Sequence, residues 1–186
     1  YLKFGEDAKY LKVKYGQKFP DIPLNKETDI YIVDFSYDKE ILESVMEQVR
    51  FLIVIDHHDT AYKQLVDFPN KIYDKSRSGA VLSWEYFHPG QAIPDLFLIV
   101  EDRDLWKFTR EESHGFEQGM KTSGRYSELK FWKEVYETPE LFQEIITRGN
   151  AEYISILKYI DSVVKNPSMY KVCTYRGLKC VIYNAV

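Results

Sequence analysis

Residues 29–59 read DIYIVDFSYDKEILESVMEQVRFLIVIDHHD, and this stretch decides the fold. DIYIVD (29–34) is a short β-branched run and predicts a strand. In residues 37–50, Ile41, Leu42, Val45, Met46 and Val49 share one face at helical spacing. FLIVI (51–55) is continuously apolar, the mark of a parallel strand covered on both faces. Strand, helix and strand in close succession predict a βαβ unit, hence an α/β chain built on a Rossmann-like parallel sheet flanked by helices.

Working outward, residues 9–15 (KYLKVKY) alternate apolar and basic side chains and predict a further strand, with a loop over 16–24. Residues 71–74 predict another strand. Ser78 is a suitable N-cap for a helix over 79–87, stopped by Pro89 and Gly90. Residues 94–101 mix β-branched side chains with a Pro-Asp opening; the opening suits a first helical turn, and a helix is expected. Residues 111–165 predict a mostly helical C-terminal part, broken at Asn166-Pro167. Residues 170–186 are strand-rich. The expected organisation is one domain over 1–168 and a strand-rich segment over 169–186 leading into a further domain.

Composition narrows the class. With 186 residues, 45% hydrophobic and 29% charged, the chain can bury a sizeable core, which excludes disordered and fibrous classes. A net charge of −4 argues against non-specific duplex binding, but leaves small or single-stranded phosphate substrates open. No apolar run approaches the roughly 20 residues of a bilayer span, and no signal peptide opens the chain. Cys173 and Cys180 flank Gly177 in a hairpin-like segment and read as apolar strand residues in a reducing cytoplasm, a cross-strand disulfide being the lesser alternative.

The chemistry gathers at strand ends. Asp34 follows YIV and Asp56 follows LIVI. In an open parallel sheet ligands bind outside the carboxyl ends of the strands, where neighbours lie about 4.8 Å apart. His57 and His58 come directly after Asp56, and carboxylates with imidazoles suit Mn, Fe or Zn. A third acidic group, Glu101-Asp102-Arg103-Asp104, ends the expected helix, where the macrodipole disfavours a carboxylate unless a cation offsets it. Taken singly, these acids read as turn residues or as partners of Arg103 and Lys107. Together, each directly after an apolar element, they read as one site. His88 and His114 lack that context, and neither GxGxxG nor GxxxxGK[ST] occurs.

Asp56-His57-His58-Asp59-Thr60 resembles the signature of the DHH phosphoesterases. Ile32-Val33-Asp34-Phe35-Ser36 resembles that family's second motif, and Glu101-Asp102-Arg103-Asp104-Leu105-Trp106 its fourth, as in the oligoribonuclease-like branch. Tyr15-Gly16 and Ser78-Gly79-Ala80 are similar to the same branch. The resemblance covers roughly residues 9–125.

It implies an enzyme holding two Mn2+ ions, with Mg2+ or another divalent ion as alternatives. Such an enzyme would hydrolyse phosphodiester bonds of short oligonucleotides or nucleotides by metal-activated water. Carried over by motif, Asp34, His57 and Asp102 would be metal ligands, with Asp104 the alternative because the string DRD aligns either way. Asp102 is preferred because Trp106 and Phe108 then fall where the family places aromatics. Asp56 would orient the site and His58 would face the scissile phosphate. Arg103, Arg77 and Lys75 are candidate phosphate holders.

The family's first motif has no counterpart here, and its second, smaller domain would begin where this chain ends. The chain therefore reads as an internal piece of a longer protein. The rival expectation is a non-catalytic binding or assembly module on a degenerate DHH fold. The expected partners are a small phosphate ester, a nucleotide or a short single-stranded oligonucleotide, in the cytoplasm, with neither duplex nor membrane; oligomeric state is left open.

Overall fold

A computed structural model describes residues 1–166, 168 and 170–183. Two compact units divide the chain, Tyr1–Ser113 and His114–Val186. The fold is mixed α/β, with a three-stranded parallel sheet flanked by helices and a long helix in the C-terminal part.

In the first unit β1 (Asp29–Val33), α1 (Lys39–Met46), β2 (Phe51–Asp56), α2 (Asp59–Gln64), β3 (Lys71–Tyr73), α3 (Gly79–Phe87) and α4 (Asp95–Asp104) follow in order. The sheet order is β1-β2-β3, with Val33 beside Ile55 and Asp56 beside Tyr73. The apolar run of β2 has a direct explanation in the strand period of two. Leu52 and Val54 pack with Leu42, Val45 and Val49 on one face. Ile53 and Ile55 pack with Leu82, Tyr86 and Phe87 on the other. Both faces are covered, so no position of the central strand is left for a polar residue until the strand ends at Asp56. Burying each such aliphatic side chain contributes about 1.5–3 kcal/mol.

The helices follow local signals. Ser78 caps α3 by accepting from the Val81 N–H (3.2 Å). The ambiguous stretch after Pro94 is helical, as its opening turn suggests, with Pro94 at the N-cap and Asp95 in the first turn. The helix expected over 37–50 is shorter, Lys39–Met46, and Val49 is buried in the turn that follows.

Residues 9–15 correct the sequence reading: they form no strand. Alternation favours an extended chain only where a neighbouring strand completes its hydrogen bonds, and among the described residues none pairs with this segment.

The second unit contains α5 (Glu112–Thr122) from His114 onward, α6 (Leu129–Glu137), α7 (Pro139–Lys165), β4 (Tyr170–Tyr175) and β5 (Leu178–Tyr183). Phe116, Met120, Phe131, Val135, Ile145 and Ile146 are buried here. A Cβ on Gly149 would fall 1.8 Å from the Gly115 carbonyl oxygen, so α5 and α7 touch backbone to backbone. α7 ends at Lys165, beside the break expected at Asn166-Pro167; residue 167 lies outside the described residues, as do 169 and 184–186 of the expected C-terminal segment. β4 and β5 form an antiparallel hairpin whose turn residues Arg176 and Gly177 both have positive φ (48° and 79°), as a two-residue turn that matches strand twist requires. Cys173 and Cys180 face each other in it as free thiols. Among the described residues no helix is long and apolar enough to cross a membrane.

Candidate metal centre

The register of the sheet brings the two strand-end acids together. Val33 pairs with Ile55, and the Asp34 N–H extends the ladder by donating to the Ile55 carbonyl (2.9 Å). The chain then turns at Asp34, which has a φ of 54°, a left-handed conformation that Asp tolerates better than most residues. Asp34, Asp56, His57 and His58 each offer one ligand atom, and these atoms all lie within 4.8 Å of one another.

Asp56 is 2% exposed and organises the turn after β2. Its Oδ1 accepts from the His57 N–H (2.7 Å) and the His58 N–H (3.3 Å), and lies 2.7 Å from His58 Nδ1. That contact fixes the His58 ring and leaves Nε2 as the nitrogen for an ion or a substrate oxygen. Burial alone would lower the His58 pKa. The Asp56 hydrogen bond and the charges of Asp56, Asp34 and Asp104 outweigh it and shift the pKa up.

The end of α4 supplies the third acid, and it is Asp104. Asp104 Oδ2 lies 3.3 Å from His57 Nε2, and Asp34 Oδ1 lies 3.2 Å from the same nitrogen. Neither approach makes a hydrogen bond: His57 Nε2 is buried without a hydrogen-bond partner, and so is Asp56 Oδ2. Buried polar atoms ordinarily find partners. Here two partnerless polar atoms lie in a cluster of Asp34, Asp56, His57 and His58, with Asp104 against His57, and this mix of carboxylates and imidazoles fits a divalent cation. The electrostatics agree. Burial, and then repulsion from Asp104, raise the Asp34 pKa, so the carboxylates oppose one another's ionisation.

Asp102, the preferred ligand on sequence grounds, is engaged elsewhere. It is 3% exposed and accepts hydrogen bonds from Thr109 N–H (2.9 Å), Thr109 Oγ1 (2.6 Å), Arg110 N–H (3.3 Å) and Ser113 Oγ (2.6 Å). At about 100° per residue, side chains two apart on a helix point to nearly opposite sides, so Asp102 and Asp104 cannot face one site. Of the two acids, Asp104 is the one beside His57.

Burial would raise the Asp102 pKa, but those four hydrogen bonds to the ionised form take it down to about 2. A carboxylate with a depressed folded-state pKa stabilises the fold above the ordinary carboxylate range, and that contribution is lost as pH falls towards the folded value. A shift from 3.8 to about 2 corresponds to about 2 kcal/mol. Urea unfolding of the protein and of Asp102→Asn should therefore differ most above pH ~5 and converge between pH ~4 and ~2. A difference constant across that range would show that the carboxylate charge contributes nothing.

Gly79 and Glu101, given no role of their own by the sequence, pack against the candidate centre and its supporting helix. Gly79, the first residue of α3, abuts Asp34: a Cβ there would lie 2.5 Å from Asp34 Oδ1 and 2.6 Å from its Cβ. Glu101 is 5% exposed and accepts from the Ser78 N–H (2.9 Å), tying the start of α3 to α4. Glu101 and Asp104 are three residues apart and share a helix face. The strings SGA and EDRD contained both residues, but not their distance partners.

The candidate phosphate holders are placed differently from one another. Arg77 pairs with Glu101 (3.2 Å) and Glu85 (3.3 Å), so its charge is met within the protein. The Arg103 guanidinium lies over the rings of Trp106 (5.0 Å) and Phe108 (5.1 Å). Lys75 is exposed in the turn after β3.

No family model matches the chain, and no solved structure matches it. An uncharacterized protein of Acanthamoeba polyphaga mimivirus, R106, is 30% identical over 129 residues, covering 58% of this chain. The chain spans 31% of that relative's length.

Proposed function

We propose that this chain carries the metal-binding and catalytic part of a divalent-cation-dependent phosphoesterase resembling the DHH family. In this reading it hydrolyses phosphodiester bonds of nucleotides or short oligonucleotides in the cytoplasm. One observation carries the reading: His57 Nε2, buried and without a hydrogen-bond partner, stands 3.2 and 3.3 Å from the carboxylate oxygens of Asp34 and Asp104. Those three residues would hold the ion, with an Asp56 carboxylate oxygen and a His58 ring nitrogen within 4.8 Å of the Asp34 and His57 ligand atoms.

A cation bound there, with Mn2+ the first expectation, supplies Lewis acidity and makes water a competent nucleophile near neutral pH. The chain's own groups position the reaction. Asp56 Oδ1 fixes the His58 ring through Nδ1, so Nε2 is presented to an oxygen of the phosphate. The cap of Ser78 and its tie to Glu101 fix the start of α3, which sets the position of Asp34 through Gly79. Preorganisation of this kind favours the transition state because the groups need not rearrange when charge develops.

Calorimetric titration of chelator-treated protein with Mn2+ tests the centre. Saturable binding is expected, with a rise in melting temperature that grows with Mn2+ concentration, because an ion held only by the folded state stabilises by mass action. Absence of binding at about 1 mM Mn2+, equivalent to less than ~4 kcal/mol of affinity, would refute the assignment.

A further inference from the structure

Beside the metal centre stands an aromatic side chain that the fold presents but does not bury. Residues 14–17 form a tight turn, closed twice. The Gln17 N–H donates to the Lys14 carbonyl (3.1 Å), and Gln17 Oε1 accepts from the Lys14 N–H (2.9 Å). Gly16 has a φ of 80°, which a turn of this kind readily assigns to glycine at its third position. Tyr15 occupies the second position.

Its ring packs on Phe35 (centroids 4.8 Å apart, planes at 39°) and stands edge-on to His58 (6.4 Å, 83°). Phe35 is buried and directly follows Asp34. Tyr15 itself remains 64% exposed. A rigid turn therefore holds an aromatic ring against the residue next to one candidate ligand and beside the ring of His58, with most of its surface in solvent. That exposure leaves a large apolar area hydrated, which folding alone does not favour.

We propose that Tyr15 is a nucleobase-stacking residue, taking the base of a nucleotide whose phosphate lies at the centre formed by Asp34, His57, His58 and Asp104. The inference rests on the reading of that centre as a phosphate site and extends it to the rest of the substrate. In a nucleotide the base stands one sugar away from the phosphate, a spacing of the same order as the 6.4 Å between the His58 and Tyr15 rings. The chemistry also needs such a contact. The chain is acidic overall and carboxylates stand beside the histidines of the centre, so the protein's net field adds little to what a bound cation and His58 offer a phosphate. A stacked base adds affinity independent of charge and of base identity, since every base has a π-face.

The test compares adenosine 5′-monophosphate with ribose 5-phosphate, which has the sugar and phosphate but no base. Each is titrated calorimetrically into the Mn2+-loaded protein. Adenosine monophosphate should bind about tenfold more tightly, within the range expected of one stacked base. Tyr15→Phe should keep that ratio. Tyr15→Ala should bring the ratio close to one, and so should Tyr15→Leu, which still covers Phe35 but lacks a π-face. Equal affinities in the unaltered protein, or a tenfold ratio that survives in Tyr15→Leu, would overturn the stacking role while leaving the centre as a phosphate site. Failure of both ligands to bind would remove the phosphate site itself, and the stacking role with it.

Discussion

Asp104→Asn should lower Mn2+ affinity by about 10- to 100-fold or more while leaving the melting temperature of the metal-free protein nearly unchanged. Deleting even outer-shell partners of metal ligands costs that much, and Asp104 Oδ2 stands 3.3 Å from His57 Nε2, the nitrogen proposed to hold the ion. In the metal-free protein the change removes a repulsion, since the Asp104 charge opposes ionisation of Asp34. Asp102→Asn should behave the other way. Its carboxylate satisfies four donors in the segment that follows α4, and an amide would turn a donor towards one or more of them. A loss of about 2 kcal/mol, or roughly 4–8 °C in melting temperature, is expected with Mn2+ affinity retained. The paired measurement is a thermal melt and a Mn2+ titration on each variant. If Asp102→Asn loses the metal and Asp104→Asn keeps it, the fourth-motif ligand is the one first expected from the sequence.

Gly79→Ala is expected to disable the centre from outside it. The added methyl would lie 2.6 Å from Asp34 Cβ, closer than carbon atoms approach, and the obstacle is the root of the side chain rather than a flexible end. Either Asp34 is displaced or α3 withdraws, and α3 is held by the Ser78 cap and by Glu101. Overpacking of this kind costs about 1–3 kcal/mol. Because Asp34 is a candidate ligand, Mn2+ affinity should fall about 10-fold or more. Ala80→Gly, one residue along the same helix, is the control: it costs about 1 kcal/mol of helix propensity and leaves Asp34 in place. Gly79→Ala with unchanged Mn2+ affinity would show that Asp34 is not a ligand, or that the helix yields without consequence.

These two variants mark where the sequence was legible and where it was not. The sheet was legible because β2 is apolar at every position from Phe51 to Ile55, and only a strand covered on both faces needs that pattern. Asp34 and Asp56 were legible as neighbours because both end strands of one βαβ unit, and parallel register then leaves little freedom. The cap of α3 was readable from Ser78, and the start of α4 from Pro94 and Asp95. The extended reading of residues 9–15 failed because alternation reports a face, whereas a strand also requires a neighbour, and that is a tertiary fact.

What the sequence by itself determined is the set of elements and the edge of the sheet at which the acids and histidines gather, because periodicity of two or 3.6 is local and is written residue by residue. What only the tertiary structure decided is which acid of Glu101-Asp102-Arg103-Asp104 reaches His57, why residue 79 has no side chain, and that Tyr15 stands beside His58. All three depend on how an element is rotated about its own axis against a partner distant in the chain. That rotation is set by packing: Glu101 turns towards Ser78, Asp102 towards Thr109 and Ser113, and Asp104 is carried with them to His57.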